Sequence, residues 1–230
     1  MDERLRGDMS YLYETHMHTS EVSACAINSA AEQIKFYKKL GYTGVIVTDH
    51  FINGNSTCPQ NYSWEKKMNH IMKGFIEAKK AGIRHDVDVF FGWEYTIRGT
   101  DLLTYGLGLD FLVENTDLAH LSVEQYSLRV RKNGGFLAQA HPFRNAFYIA
   151  NPHPVAPYLI DAVEVYNASD SSESNSKARE FAKVNNLPMQ AGSDSHRTNS
   201  YGYSGIKLKE RASTIQDIIE AIKTNNAELI

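Results

Sequence analysis

Short apolar runs of the kind that make β-strands recur along this chain, and six stretches at or just past them carry histidine or a carboxylate. Tyr11-Leu-Tyr-Glu-Thr-His-Met-His-Thr19 holds His16 and His18, Asp49 and His50 follow Gly44-Val-Ile-Val-Thr48, and Glu94 follows Val87-Asp-Val-Phe-Phe-Gly-Trp93. Asp101 lies in Gly99-Thr-Asp-Leu-Leu-Thr104, His141 follows Phe136-Leu-Ala-Gln-Ala140, and Gly192-Ser-Asp-Ser-His196 holds Asp194 and His196. Strands of a parallel barrel bring their carboxyl ends to one mouth, where such side chains would converge. Packing gives no reason for titratable groups to recur there.

Helical periodicity separates the strands. Residues 28–40 set Ala31, Ile34 and Leu40 near one face before Gly41. Residues 62–81 carry Trp64, Met68, Ile71, Met72, Phe75 and Ile76 at spacings of three and four, with Gly82 as the expected stop. Further helices are expected over 123–132, 174–185 and 214–224, and further strands over 102–107, 162–166, 188–191 and 203–208. No linker interrupts the alternation, so the expectation is one α/β domain over 1–230, with about six or seven βα units, short of an eight-fold barrel.

An apolar content of 42% is enough for a sizeable core, and a net charge of -3 argues against a broad basic surface for long nucleic acid. The two cysteines, Cys25 and Cys58, are too few for a disulfide framework and are expected to be reduced. Met1–Asp8 lacks the apolar core of a signal peptide and no run is long enough to span a bilayer, so a cytoplasmic location without a membrane partner is expected. Neither Gly41-Tyr-Thr-Gly44 nor Tyr201-Gly-Tyr-Ser-Gly205 fits a phosphate-loop fingerprint.

His16 and His18, two apart on a strand, point to the same side and can grip one ion. Mixed histidine and carboxylate donors suit zinc, manganese or iron; an all-oxygen set would favour magnesium or calcium. A carboxylate bridging two such ions would serve phosphate ester hydrolysis best, because the ions activate water and steady the oxygens of an in-line displacement.

His16-Met-His-Thr-Ser, Thr48-Asp-His, Glu94, Ala140-His-Pro-Phe-Arg and Gly192-Ser-Asp-Ser-His, in this order, resemble the polymerase and histidinol phosphatase (PHP) family of metal-dependent phosphoesterases over residues 11–208. The resemblance implies a single-domain distorted (β/α)7 barrel with a trinuclear metal centre. It implies a first ion on His16, His18, Glu94 and Asp194, a second on Glu94 and His141, and a third on His50 and His196. Asp101 takes the place of a further histidine at the second ion, with His120 as substitute. The chain departs from the family at Ser23-Ala24-Cys25, where an aspartate or histidine is usual. Either Glu21 or Cys25 compensates, or the centre is binuclear.

The same resemblance gives Arg144 a phosphate to hold by a two-pronged hydrogen bond. Asp194 and His196 join it as catalytic candidates, a histidine or carboxylate of the cluster protonating the leaving oxygen. Asn167 and Glu164 are candidate pocket-lining residues, His153 a candidate lid over the mouth, and Asp49 a residue expected to orient His50. His70 and His85 are expected at the surface.

The leading expectation is a phosphatase acting on a small phosphorylated metabolite or nucleotide. A nuclease for short oligonucleotides is the alternative, although only Arg98, Arg144 and Arg197 lie next to the motifs. A metal-binding regulatory domain without turnover is the third.

Overall fold

The computed structural model describes residues 10–97, 99–147, 149, 152–199 and 203–230. Arg98, the Met1–Asp8 segment, and Tyr201 and Gly202 lie outside the described residues.

Strands β1 (Tyr11–Met17), β2 (Gly44–Val47) and β3 (Asp88–Ile97) pair in parallel, with helices α1 (Ala30–Lys39) and α2 (Trp64–His85) as the crossovers. Ser29 begins α1 with a capping box to Glu32, and Gly41 at φ 85° ends its turn as expected. Along α2, Met68, Ile71, Gly74, Ala78 and Ala81 form the buried face. The expected stop at Gly82 is corrected: the helix runs on to His85 and Asp86 turns left-handed at φ 51°. Gly82 instead gives Val87 and Val89 room to pack, since a Cβ there would collide with both.

Alternation breaks at β4 (Thr100–Tyr105), which returns antiparallel to β3 in a hairpin and pairs antiparallel with β5 (Phe136–Ala140). Glu94 therefore lies within β3 rather than beyond it, opposite Leu103. Asp101 reaches the mouth because β4 runs backwards, so that its start, beside Ala140, is at the end where its neighbours finish. A short α3 (Leu109–Glu114), not foreseen, and α4 (Val123–Lys132) lead into β5.

The parallel pattern resumes with β6 (Ala162–Asn167), α5 (Ser172–Val184) and β7 (Met189–Gly192); β8 (Ile206–Leu208), α6 (Ile215–Lys223) and a short β9 (Glu228–Leu229) follow. Among the described residues the nine strands run β7-β6-β5-β4-β3-β2-β1-β8-β9. The sheet nearly closes on itself where β7 meets β1: Ser195 N–H donates to the His16 carbonyl (3.2 Å), His18 N–H to that of Ser195 (2.9 Å), and Thr15 Oγ1 to that of Ala191 (2.7 Å). Buried Glu14 clasps this seam, accepting from His16 N–H, Ser193 N–H and Tyr37 O–H, and burial pushes its carboxyl up to about 7. This is a distorted α/β barrel. Among the described residues no helix is long and apolar enough to cross a membrane.

Candidate metal centre

The mouth draws on six segments. β1 supplies His16 and His18, the end of β2 leads to His50, β3 holds Glu94 and β4 Asp101. His141 and Asp194, just past β5 and β7, both adopt positive φ, 28° and 53°. That conformation is uncommon outside glycine, and its occurrence at two cluster residues fits a backbone held by its surroundings for function.

Four sets of three ligand atoms lie mutually within 4.8 Å: His16, His18 and Glu94; His16, His141 and Asp194; Glu94, Asp101 and His141; and His18, His50 and His196. Glu94 is the hub. Its Oε1 lies 3.4 Å from His16 Nε2 and 3.3 Å from His141 Nε2, while Oε2 lies 3.5 Å from His18 Nε2 and 2.8 Å from His50 Nδ1. Asp194 Oδ1 stands 3.2 Å from His18 Nε2 and 3.5 Å from His16 Nε2.

The shell behind these groups sets which ring nitrogen is free. His16 Nδ1 meets Glu164 Oε1 at 2.9 Å, so its proton lies there and Nε2 faces the centre. Ser23 Oγ donates to Asp49 Oδ1 (2.7 Å) and accepts from His50 N–H (3.1 Å), leaving it to accept from His18 Nδ1 (3.0 Å). The two Nε2 atoms then stand 3.1 Å apart. Burial opposes a charge on His16, but Asp194, Glu164 and Glu94 outweigh it and hold the ring well above the ordinary imidazole value, so without metal its Nε2–H bridges to His18 Nε2, and a bound cation would take that proton's place. His50 Nδ1 and Glu94 Oε2 are also buried without a hydrogen-bond partner, despite their 2.8 Å separation. The facing Nε2 atoms fit two donors of one ion, the unpartnered Glu94 oxygen fits a further donor beside them, and the donor set suits a divalent metal. Burial, with the His196 and His50 charges, pushes His18 well below the ordinary imidazole value, which keeps it neutral for ligation.

Asp49 holds Thr19 and Ser23 rather than touching His50, so its effect falls chiefly on His18, through the serine. Glu21 is turned away, its carboxylate accepting from Ala30 N–H at the start of α1. Cys25 Sγ, by contrast, lies 3.2 Å from His50 Nε2 and 3.0 Å from His196 Nε2. Burial opposes its ionisation, but the hydrogen bonds and charges of His196 and His50 outweigh that and bring the thiol down to about 6. In metal-free protein, iodoacetamide labelling of Cys25 should therefore rise with pH through about 6, and that of buried Cys58 only at higher pH; a Cys25 midpoint near 9 would contradict the geometry.

Arg144 is anchored as well as exposed to the cavity: its guanidinium lies 2.6 Å from Asp194 Oδ2 and donates to Asn167 Oδ1 at 3.1 Å. Asn167 is fully buried and donates to Glu164 Oε2 (2.8 Å). Asn167 and Glu164 thus brace the cluster and do not line the pocket as expected. Their polar character at a strand end was the available signal, but its meaning depended on a partner far away in sequence. His120 and His153 are brought together elsewhere, on a separate cavity beside the N-terminus of α4, so neither the substitute ligand nor the lid is placed at the mouth. His70 is buried against Thr57, correcting its surface assignment.

Replacing Glu164 with Gln should lower metal affinity about 10- to 100-fold, because it loosens the His16 ring without removing a ligand. Equilibrium dialysis against zinc checks this, and unchanged binding would refute the role.

Fold and cluster define the class: a distorted α/β barrel whose mouth gathers histidines and carboxylates. The PHP-associated family matches residues 172–227, from α5 to the end of the α6 region. No curated protein matches the chain in sequence. Among solved structures, a two-domain protein from Bacteroides vulgatus containing a predicted PHP-like metal-dependent phosphoesterase is similar at a TM-score of 0.73 and 14% identity, over 96% of this chain and 65% of that one. PsfC from Pseudomonas syringae is similar at 0.66 and 17%, over 96% and 91%. A lesion-specific endonuclease from Pyrococcus furiosus is similar at 0.60 and 14%, over 96% and 58%. These likenesses are of fold, and this chain spans under two thirds of the first and third of those proteins. Sequence similarity to the PHP-associated family is thus confined to the C-terminal part of the chain, and the wider likeness is one of fold.

Proposed function

We propose that the protein is a metal-dependent phosphoesterase whose substrate is a small phosphorylated metabolite or nucleotide, working with two or three ions of zinc, manganese or iron. The observation that carries this reading is the convergence of His16 Nε2 and His18 Nε2, 3.1 Å apart, on the shared carboxylates Glu94 and Asp194. A cavity of about 410 Å³ opens on the cluster, lined also by Asn55, Thr96, Ile149 and Arg144, a size that suits a small ligand.

Ions bound there would activate water and neutralise phosphate oxygens. The chain's own groups do the rest. Arg144, fixed by Asp194 and Asn167, presents guanidinium N–H groups to a phosphate entering the cavity. Glu164 and Ser23 hold His16 and His18 in register. His196, at 24% the most exposed ring of the cluster, stands at the cavity wall to pass a proton to the leaving oxygen.

A second reading, a phosphodiesterase for short oligonucleotides, is favoured by one feature. A further cavity of about 420 Å³ adjoins the first across Asp194 and His196 and is lined by Ser169, Arg144 and Arg197, leaving room for a group on each side of a phosphate. The similarity to the Pyrococcus endonuclease is in keeping with it.

Hydrolysis of p-nitrophenyl phosphate and bis-p-nitrophenyl phosphate by metal-stripped and reloaded protein tests both. Metal-dependent cleavage of the monoester is the expected result, and preference for the diester would promote the second reading. Metal binding without turnover of either ester or of a panel of metabolite phosphates would sink the assignment.

A further inference from the structure

The loop after β1 departs from the PHP pattern that the sequence resembles at Ser23-Ala24-Cys25, and the fold brings the last of these residues to two rings of the cluster. Cys25 Sγ lies 3.2 Å from His50 Nε2 and 3.0 Å from His196 Nε2, an approach between residues 25 and 171 positions apart. His196 Nδ1 faces the Asp194 carbonyl oxygen at 3.0 Å. A carbonyl only accepts, so a proton is on Nδ1 and Nε2 is the nitrogen His196 has left for the sulfur or for a metal. One sulfur and two ring nitrogens thus converge from three segments of the chain.

The loop is held there by its backbone. Ala24 N–H donates to the Asn55 carbonyl at 2.8 Å, and Ile27 N–H donates to the His196 carbonyl at 2.8 Å. The sulfur is thus carried on a segment tied to the chain following His50 and to His196 itself. Behind it, Glu94 Oε2 and His50 Nδ1 are buried with no hydrogen-bond partner. The side chain of Glu94 is 2% exposed and its Oε2 takes up the Nδ1 side of His50 at 2.8 Å, so Nε2 is the nitrogen that ring offers on the side of the sulfur.

We propose that Cys25 is a thiolate ligand which, with His50 and His196, completes a third metal position selective for a thiophilic divalent ion such as zinc. This rests on the metal centre assigned above but not on its turning over any ester. A sulfur and two imidazole nitrogens would supply three donors, the number of a zinc site that keeps a position for water or substrate. The two positions built on Glu94 use only imidazole and carboxylate donors, which accept manganese or iron as readily as zinc. The third would discriminate against manganese, because thiolate favours the softer ion. Binding there replaces the thiol proton, which is released to solvent, and no redox step is involved.

Cobalt(II) reports the sulfur directly, because a thiolate bound to it gives an intense charge-transfer absorption in the near ultraviolet that imidazole and carboxylate do not. Metal-free full-length protein, Cys25→Ser and Cys25→Asp are titrated with cobalt while absorption and bound ions per chain are followed. Wild type is expected to develop the charge-transfer band and to shield one thiol from Ellman's reagent. Cys25→Ser should lose the band and bind one ion fewer. Cys25→Asp should recover the ion without the band, which separates loss of a ligand from misfolding. Dialysis of wild type against manganese alone should leave one position fewer filled than dialysis against zinc.

Cobalt binding by wild type without the band, or an ion count and affinity unchanged in Cys25→Ser, would overturn the proposal. Cys58 remains in every variant, so a band surviving Cys25→Ser assigns the sulfur to Cys58 and also overturns it. Spectrum and ion count do not depend on catalysis. A protein that shows the band yet cleaves no ester keeps the thiolate site and loses the phosphoesterase reading.

Discussion

Glu94→Gln should reduce phosphoester hydrolysis by well over about 100-fold and lower the number of ions held per chain. The substitution is isosteric and leaves β3 and its pairing in place, so the loss is one of charge. Four imidazoles, those of His16, His18, His50 and His141, approach the two Glu94 oxygens between 2.8 and 3.5 Å. An amide offers one weakly basic oxygen and an N–H that repels a cation, so glutamine here would hold ions less well than the carboxylate it replaces. Loss of a residue that merely orients a ligand costs about 10- to 100-fold, and a shared ligand must exceed that. Metal analysis beside turnover of p-nitrophenyl phosphate reads both effects. A variant with full ion content and activity within about tenfold of wild type would remove Glu94 from the centre.

Gly74→Ala should unfold the protein more easily by about 3 kcal/mol, although alanine is the better helix former by about 1 kcal/mol. Gly74 lies on the buried face of α2, where a Cβ would overlap Asp49 Oδ2 and Thr19 Oγ1. Those oxygens are 2.7 Å apart in a hydrogen bond, and Asp49 Oδ1 accepts from Thr19 N–H and Ser23 Oγ. The helix must move away from β1 and β2, or a buried carboxylate must give up partners worth about 1.5–3 kcal/mol each. For a chain of this size the melting temperature should fall by roughly 10 °C. Weaker metal binding should accompany it, since Ser23 carries the strain to His18. Thermal melts of metal-free protein separate the two effects, and an unchanged melt would show that α2 tolerates the group.

The same contact illustrates what was legible beforehand. The periodicity of α2 is plain in Met68, Ile71 and the small residues after them, and its packing face follows from it. That Gly74 sits over an aspartate 25 positions earlier, and that Gly82 makes room for β3 instead of ending the helix, follows only from the crossing of helix and sheet. The cluster behaves alike. His-x-His, Asp-His and Ser-Asp-Ser-His carry their chemistry on their face. Glu164, whose carboxylate meets the His16 ring across 148 positions, looks in sequence like any polar residue at a strand end. Ser23 is equally plain until Asp49, His50 and His18 are seen to share its hydroxyl.

By itself, then, the sequence determined the alternation of strand and helix, the identity of the donor atoms and the chemistry they favour, because residue type and short-range periodicity are local properties. Only the tertiary structure decided that β4 runs backwards and delivers Asp101 to the mouth, that Glu21 caps a helix while Cys25 meets His50 and His196, and that His120 and His153 belong to another cavity. Each of those outcomes depends on where distant segments meet once the core closes and buried polar groups find partners. The distances that make a ligand are set through space and not along the chain.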